Sequence, residues 1–129
     1  MADLNAFATA FTTEYYEKFT KNRAALKDIH AENAYFTFEG AEHHGRQAIG
    51  EKLESLQFGD MQYKVSTVDA QLSNAQLNTV IVSVTGMFLL GGESNPLNFN
   101  QVFQLAPVVG ADGSTSFCVF NSIFRLNLG

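Results

Sequence analysis

Apolar side chains follow a helical period in the first part of the chain. Between residues 4 and 19 they recur at spacings of three and four, which places them on one helix face: Leu4, Phe7, Ala8, Phe11, Tyr15 and Phe19. A second, short helix is predicted over "RAALKDI", with Asn22 as its N-cap. A third helix carries Ile49, Leu53 and Leu56 on one stripe.

Strand patterns alternate with turns through the rest of the chain. "AYFTF" alternates and predicts a strand, and a turn between Gly40 and Gly45 separates it from the third helix. From Asp60 onward, β-branched and aromatic residues predict four more strands: "MQYKVSTV", "TVIVSVTGMFLL", "LNFNQVFQL" and "SFCVFNSIFRLNL". Helices followed by a strand meander indicate an α+β fold, with helices on one face of an antiparallel sheet. We predict a single domain over residues 1–129.

Composition narrows the possible classes of function. The chain has 129 residues and a net charge of −5, so electrostatics give a nucleic-acid-binding role no support. Cys118 is the only cysteine, which rules out an internal disulfide and favours a reducing compartment. The N-terminal sequence lacks a signal-peptide pattern, and no apolar run approaches the ~18 residues of a membrane span. We therefore expect a soluble, intracellular protein that does not insert into membranes.

The predicted sheet is apolar on both faces. No Lys or Arg lies between Val65 and Phe124. The long strand carries one apolar set at Val80, Val82, Val84, Phe88 and Leu90, and another at Ile81, Met87 and Leu89. Three helices can cover only one face, and a bare second face would be a large apolar patch. A homodimer that packs sheet on sheet is favoured, with neutral interface groups at Asn98, Asn100, Gln101 and Gln104. The alternative is a sheet so curved that it closes on itself.

The stretch "FTFEGAEHHGRQAIGEKLESL" (residues 36–56) concentrates carboxylates and histidines around one turn. A metal site needs several ligands that converge, with supporting hydrogen bonds behind them. His43 and His44 are adjacent in a predicted loop, so their side chains tend to point apart. We interpret the segment as a solvated polar turn and expect neither a metal nor a cofactor.

Several strings resemble the nuclear transport factor 2 family. They are "EYYEKF", "EKLESLQF", "NFNQVFQL" and "VFNSIFRLNL", and the resemblance runs in register over nearly the whole chain. It implies a cone-shaped domain of the nuclear transport factor 2-like (cystatin-like) class that forms a homodimer. It also implies a carrier without catalytic activity that binds the small GTPase Ran in its GDP form and phenylalanine-glycine repeats of nucleoporins. Such a carrier occupies the cytoplasm and nucleus and is enriched at the nuclear pore.

The resemblance assigns roles to individual residues. Glu39 matches the glutamate that accepts a salt bridge from a basic residue of Ran's switch region, and Phe38 matches the aromatic wall of the cavity beside it. The remaining cavity positions are Leu56, Met61, Leu90, Ile123 and Phe124. Without the resemblance, Glu39 reads as a solvated strand-end carboxylate and the others as ordinary core. Arg125 either pairs with an interior carboxylate or reaches solvent.

The sequence departs from the family pattern in two places. The loop that normally carries a cluster of carboxylates for Ran reads Gly91, Gly92, Glu93, Ser94, so only Glu93 keeps a charge. Well-formed interfacial charge pairs are worth about 1.5 kcal/mol or more, so we expect weaker Ran binding. At the repeat-binding position of helix one the family often has an exposed aromatic. Here Leu4 stands there, with Phe7 one turn later.

The residues alone leave two other functions open, an enzyme and an adaptor. The same fold occurs in small isomerases and dehydratases, which need a buried acid or base with a shifted pKa. The candidates are Asp69, His30, Tyr16 and Tyr63, and none forms an evident pair. The second alternative is an adaptor that binds nucleoporin repeats and has lost Ran.

Overall fold

The computed structural model describes residues 3–56, 58–91 and 95–127. Two α-helices, one 3₁₀ helix and six strands follow one another in these ranges. They are α1 (Leu4–Lys21), the 3₁₀ helix (Arg23–Ile29), β1 (His30–Phe38), β2 (Ala41–His44), α2 (Arg46–Ser55), β3 (Met61–Asn74), β4 (Thr79–Leu90), β5 (Leu97–Val109) and β6 (Thr115–Asn127). The α+β class is confirmed, and no helix in these ranges is long and apolar enough to cross a membrane.

The helices begin and end at recognisable signals. The Asp3 side chain caps α1 by accepting the Ala6 N–H at 3.0 Å. Lys18 and Lys21 lie in its last turn, where they oppose the negative end of the helix dipole. Asn22 precedes the 3₁₀ helix, but its side chain makes no cap hydrogen bond. The prediction of an Asn22 side-chain cap is therefore wrong; its backbone carbonyl accepts the Ala25 N–H instead.

The six strands form one open, curved sheet in the order β2-β1-β6-β5-β4-β3. Strands β3 to β6 form the predicted antiparallel meander. Strand β1 joins the far edge of β6 in parallel, so the sheet is mixed, and the prediction of a purely antiparallel sheet is wrong in this one pairing. Hydrophobic alternation reports which face a residue occupies and not the direction of its neighbouring strand. The order ends on two different edge strands, which also excludes a sheet closed on itself.

The predicted turn between Gly40 and Gly45 contains an additional strand. Glu39 and Gly40 both have positive φ, 52° and 86°, as a tight hairpin turn requires. The chain reverses there, and Phe38 pairs with Ala41 while Tyr35 pairs with His44. Strand β2 was missed because its four residues are mostly exposed and polar.

Helix α1 packs across the sheet and makes one of its faces the core. Every even-numbered residue of β4 from Val80 to Phe88 is buried, and α1 contributes its own buried stripe of Ala8, Thr12, Tyr15, Tyr16 and Phe19. Aromatic rings of α1 pack against aromatic rings of β5. Phe103, for example, contacts Tyr15 edge-on, with 4.8 Å between the ring centroids. The first apolar set of the long strand therefore lies inside the cone, except that Leu90 is only half-buried.

The opposite face of the sheet, called here the outer face, is less covered. Ile81 and Met87 are half-buried and Leu89 is exposed. Val102 and Ile123, paired across β5 and β6, expose 37% and 55% of their surface. Asn98 and Asn100 are exposed beside them. Gln101 does not belong to this face, because its side chain is buried inside the cone.

Candidate binding site at the mouth of the cone

Three secondary-structure elements, β1, β6 and α2, end close together at one end of the sheet. The end of β1 meets the end of β6, and the C-terminal end of α2 lies above them. We call this place the mouth, formed by Phe38, Glu39, Lys52, Leu56, Met61, Leu90 and Phe124. The sequence prediction named all of these residues except Lys52.

Two stacked phenylalanines form the wall of the mouth. Phe38 and Phe124 are paired in the parallel ladder, and their rings lie 4.9 Å apart with only 4° between the planes. Phe124 is 1% exposed and Phe38 is 8% exposed. Beneath Phe124 the stack continues into the core through Phe99, at 5.6 Å between centroids. The wall is therefore apolar and closely packed, with Phe38 as its outermost ring.

Glu39 stands directly beyond that wall with a fixed orientation. Its N–H donates to the Phe124 carbonyl at 3.1 Å, and its carboxylate Oε1 accepts the Leu126 N–H. The φ of 52° at Glu39 turns the side chain toward β6. The residue is half-buried, and its Oε2 has no hydrogen bond within the described residues. One carboxylate oxygen is thus anchored while the other stays available to a partner.

Lys52 places a positive charge at the mouth, which the sequence reasoning missed. Its Nζ lies 5.2 Å from the centroid of the Phe38 ring, within the range of a cation–π contact. A signal was present, because Lys52 stands three residues after Ile49 and four before Leu56, on the apolar stripe of α2. Because the charged amino group of Lys52 must stay in contact with water, it is expected at the solvent-facing end of the apolar stripe.

Arg23 ties the far side of the mouth together. Its guanidinium donates to the Phe19 and Leu56 carbonyls, both at 3.0 Å, and contacts the Met61 sulfur at 3.6 Å. Met61 pairs with Leu90 between β3 and β4. Leu56 and Leu90 are half-buried and Met61 is 9% exposed. These side chains therefore keep apolar surface near solvent.

The structure separates the other predicted residues from the mouth. Ile123 lies on the outer face, because successive strand residues point to opposite sides of a sheet. Glu93, with Gly92 and Ser94, lies outside the described residues. Arg125 is exposed and belongs to no ion pair among the described residues, so it reaches solvent. Leu4 and Phe7 lie at the other end of the domain, where Phe7 packs on Phe117, about 20 Å along β6 from Phe124.

The centre of the cone holds a neutral polar network. Gln101 accepts the Tyr16 hydroxyl at 2.9 Å and donates to Ser122 at 2.8 Å. Burial raises the pKa of Tyr16 well above its usual value, so the hydroxyl stays protonated. Asp69 is exposed. The Tyr63 hydroxyl donates a hydrogen bond to the Glu17 carboxylate at 3.0 Å, near the surface. A buried carboxylate paired with a tyrosine or histidine, as an acid–base enzyme of this fold would need, is not found among the described residues.

His30 is a buried titratable side chain and therefore a candidate acid or base. Its Nδ1–H donates to the Leu26 carbonyl at 2.7 Å, and Nε2 has no hydrogen-bond partner in the described part of the chain. Burial lowers the pKa of His30, against the opposing effect of the Leu26 bond. It is a neutral imidazole at the junction of the 3₁₀ helix and β1, without a carboxylate partner.

The histidine pair of the 36–56 segment, His43 and His44, lies on β2. His44 stacks flat on Tyr35, at 4.1 Å between centroids, while His43 turns toward Phe36 on the other face. The two side chains point apart, as the sequence predicts for adjacent residues. No group of three or more His, Cys, Asp or Glu side chains is placed to hold a metal within residues 3–56, 58–91 and 95–127.

Comparison with known proteins decides the family. Residues 7–126 match the nuclear transport factor 2 domain. The chain belongs to the nuclear transport factor 2 family. It is 43% identical to nuclear transport factor 2 of Emericella nidulans over 126 residues, 98% of this chain and 97% of that protein. It is 42% identical to the Schizosaccharomyces pombe protein of that name over all 129 residues of this chain and the full length of the other.

A solved structure agrees with this assignment. Nuclear transport factor 2 from Cryptosporidium parvum superposes with a TM-score of 0.80 at 34% identity, covering 93% of this chain and 91% of the other. The predicted family and its cone-shaped fold are confirmed. Curated relatives at this coverage carry the name of a transport carrier. The protein is therefore a nuclear transport carrier of the nuclear transport factor 2 family and not an enzyme.

Proposed function

We propose that the protein carries GDP-bound Ran into the nucleus and that Ran docks at the mouth. The observation that carries this proposal is the placement of Glu39 directly beside the Phe38–Phe124 stack. A partner that presents an aromatic side chain next to a basic residue fits both features at once. The family resemblance implies that Ran's switch region is such a partner.

Two energetic contributions support binding at the mouth. An aromatic ring inserted among Phe38, Leu56 and Met61 buries apolar area and contributes about 1.5–3 kcal/mol. Glu39 adds a charge-assisted hydrogen bond at a partly desolvated rim. Its orientation is already fixed through Oε1, so little side-chain entropy is lost on binding. Because the segment Gly91, Gly92, Glu93, Ser94 keeps only Glu93 as a charge, binding depends heavily on Glu39.

The proposed carrier acts as a homodimer joined through the outer face. Val102 and Ile123 expose apolar surface at its centre, and neutral groups such as Asn98 and Asn100 stand beside them. Sheet-on-sheet packing about a two-fold axis covers this surface on both copies. The mouth lies at the end of the strands and stays open in such a dimer.

Nucleoporin repeats are proposed to bind near the start of α1. Leu4 and Phe7 are half-buried there and keep part of their apolar surface in solvent. Each contact is weak, and two sites per dimer raise the total through effective concentration. Titration of a labelled sample with a phenylalanine-glycine repeat peptide should shift resonances at Leu4 and Phe7. Shifts confined to regions remote from helix α1 and the dimer seam would contradict this site.

The direct test of the carrier function is a pull-down with immobilised protein. Ran loaded with GDP should be retained, and Ran loaded with a GTP analogue should pass through. Retention of a repeat-containing nucleoporin without either form of Ran would instead favour the adaptor function. With both partners, the protein is expected to move between cytoplasm and nucleus and to concentrate at the nuclear pore.

A further inference from the structure

An open groove lies at the end of the domain opposite the mouth. It runs between α1, the 3₁₀ helix and the first residues of β6, with a volume of about 960 Å³. We call it the α1–β6 groove. Its apolar wall consists of Phe7, Phe11, Tyr15 and Phe117, and the Phe7 and Phe117 rings touch at 4.8 Å between centroids. A groove of this size with an aromatic wall fits a few residues of extended polypeptide.

A strand edge without a partner borders this groove. Strand β6 pairs with β5 from Thr115 onward, but it pairs with β1 only from Val119 onward. The ladder with β1 starts at His30, and the residues before it form the 3₁₀ helix and not a strand. Over Thr115–Cys118 one edge of β6 therefore has no strand beside it among the described residues. These four residues line the groove, so their main-chain groups offer a template for an added strand.

The rim of the groove is acidic. Glu14, Asp28 and Glu32 line it against a single cation, Arg46. Glu14 is paired with Lys18 at 2.5 Å, and the Arg46 Nε–H donates to the His30 carbonyl at 2.9 Å. Asp28 and Glu32 are exposed and belong to no ion pair in the described part of the chain. The rim therefore attracts a basic side chain.

We infer that the α1–β6 groove binds an extended peptide segment of a partner protein that adds a strand to the Thr115–Cys118 edge. Alternate side chains of such a strand point to one side. On that side an aromatic or large aliphatic residue packs on Phe117, and a neighbouring Lys or Arg meets Asp28 or Glu32. The inference goes beyond the proposed carrier function, since it requires neither Ran nor uncharged phenylalanine-glycine repeats. Phe7 is common to the groove and the proposed repeat site, so the tests use other residues.

The test is a titration of the isotope-labelled full chain with a short capped peptide in which Phe alternates with Lys and Thr. A twin peptide carries Glu in place of Lys. The first peptide should shift the resonances of Thr115–Cys118 and slow hydrogen exchange of their amides, because an added strand bonds to the main chain. Glu32→Lys should weaken its binding roughly two- to fivefold and strengthen binding of the twin. Glu54→Lys, an exposed charge reversal on α2 outside the groove, is the matched control and should change neither.

Each other result overturns part or all of the inference. Resonance shifts around Phe117 without slower exchange at Thr115–Cys118 would exclude strand addition. Equal affinity for both peptides would exclude the acidic rim as the selective element. No binding, or binding mapped elsewhere, would overturn the site itself. The Ran-GDP pull-down on the same samples is independent of all three, so failure here is distinguishable from failure of the carrier proposal.

Discussion

Ile123 and Phe124 are neighbours in β6, yet they differ widely in exposure. Phe124 is 1% exposed and belongs to the aromatic stack, whereas Ile123 is 55% exposed on the outer face. Both are large apolar residues in one strand, and only the direction of the side chain differs. Helix α1 covers the face of Phe124 and leaves the face of Ile123 to solvent. One strand thus supplies both the wall of the mouth and part of an exposed apolar surface.

The two faces of the sheet differ in what covers them. The inner face is complete within one chain, because aromatic rings and the Gln101 network fill it. The outer face combines exposed apolar side chains with neutral amides, and in the proposed dimer a second copy covers it. Stability of the single chain should therefore depend on the inner face, and association should depend on the outer one.

The largest effect is expected from Phe124→Ala. Removing this ring leaves a cavity between Phe38 and Phe99, and such truncations cost about 3–5 kcal/mol. Denaturant unfolding should show the loss. Ile123→Ala is the matched control and should cost far less at concentrations low enough to keep the chain monomeric. Equal losses in the two variants would refute the division between faces.

Association should break when a charge enters the outer face. Met87→Glu or Ile123→Glu would bury an unpaired carboxylate between two copies, at a cost of about 3–5 kcal/mol. Light scattering at micromolar concentration should report a dimer for the parent and a monomer for both variants. Leu77→Glu, in the turn between β3 and β4, should leave the dimer intact. A dimer that survives both outer-face charges must use another surface.

Acid should weaken the inner face through His30. The folded pKa of His30 is lower than its ordinary value of 6.5 because the ring is buried. The unfolded chain therefore binds more protons as the pH falls through about 6.5, and folding stability declines there. Denaturant midpoints measured across that window should fall, and His30→Gln should flatten this part of the profile. His44→Gln, exposed on β2, should not flatten it; if it does, His30 is not the source.

The smallest effect is expected at Lys52. Its amino group contacts the Phe38 ring, and a cation–π pair near the surface is worth about 0.5–1 kcal/mol. The same charge repels the basic residue that Glu39 is proposed to receive. Lys52→Met should therefore strengthen Ran-GDP binding by about 0.2–1 kcal/mol in calorimetry. Lys64→Met, exposed on β3, is the control; a weaker complex with Lys52→Met would show that the lysine supports docking.

The helical and strand periods predicted most of the fold. The stripe of α1, the four-strand meander and the inner set of β4 follow from spacing alone. Resemblance of whole strings then predicted the family and the mouth residues. Spacing also predicted the lack of cover on the outer face, because the helices are too few for two faces.

The remaining features depend on contacts between distant parts of the chain. The parallel pairing of β1 with β6, the register irregularity between His30 and Tyr35 and the burial of Gln101 leave no local signature. Strand β2 is short and polar, and its one signal was the Glu39–Gly40 pair that forms the hairpin turn. Ile123 was assigned to the cavity from the resemblance although its alternation with Phe124 already indicated the opposite face.

Calorimetry of Ran-GDP binding to Glu39 variants decides whether Ran docks at the mouth. Glu39→Gln keeps an acceptor for the Leu126 N–H but removes the charge, and it should weaken binding by about 1.5–3 kcal/mol. Glu39→Lys replaces the anchor with a repulsive charge and should abolish binding. Glu42→Lys, an exposed reversal on β2, is the matched control and should bind like the parent. If Glu39→Lys binds Ran-GDP as tightly as the parent does, the mouth is not the docking site.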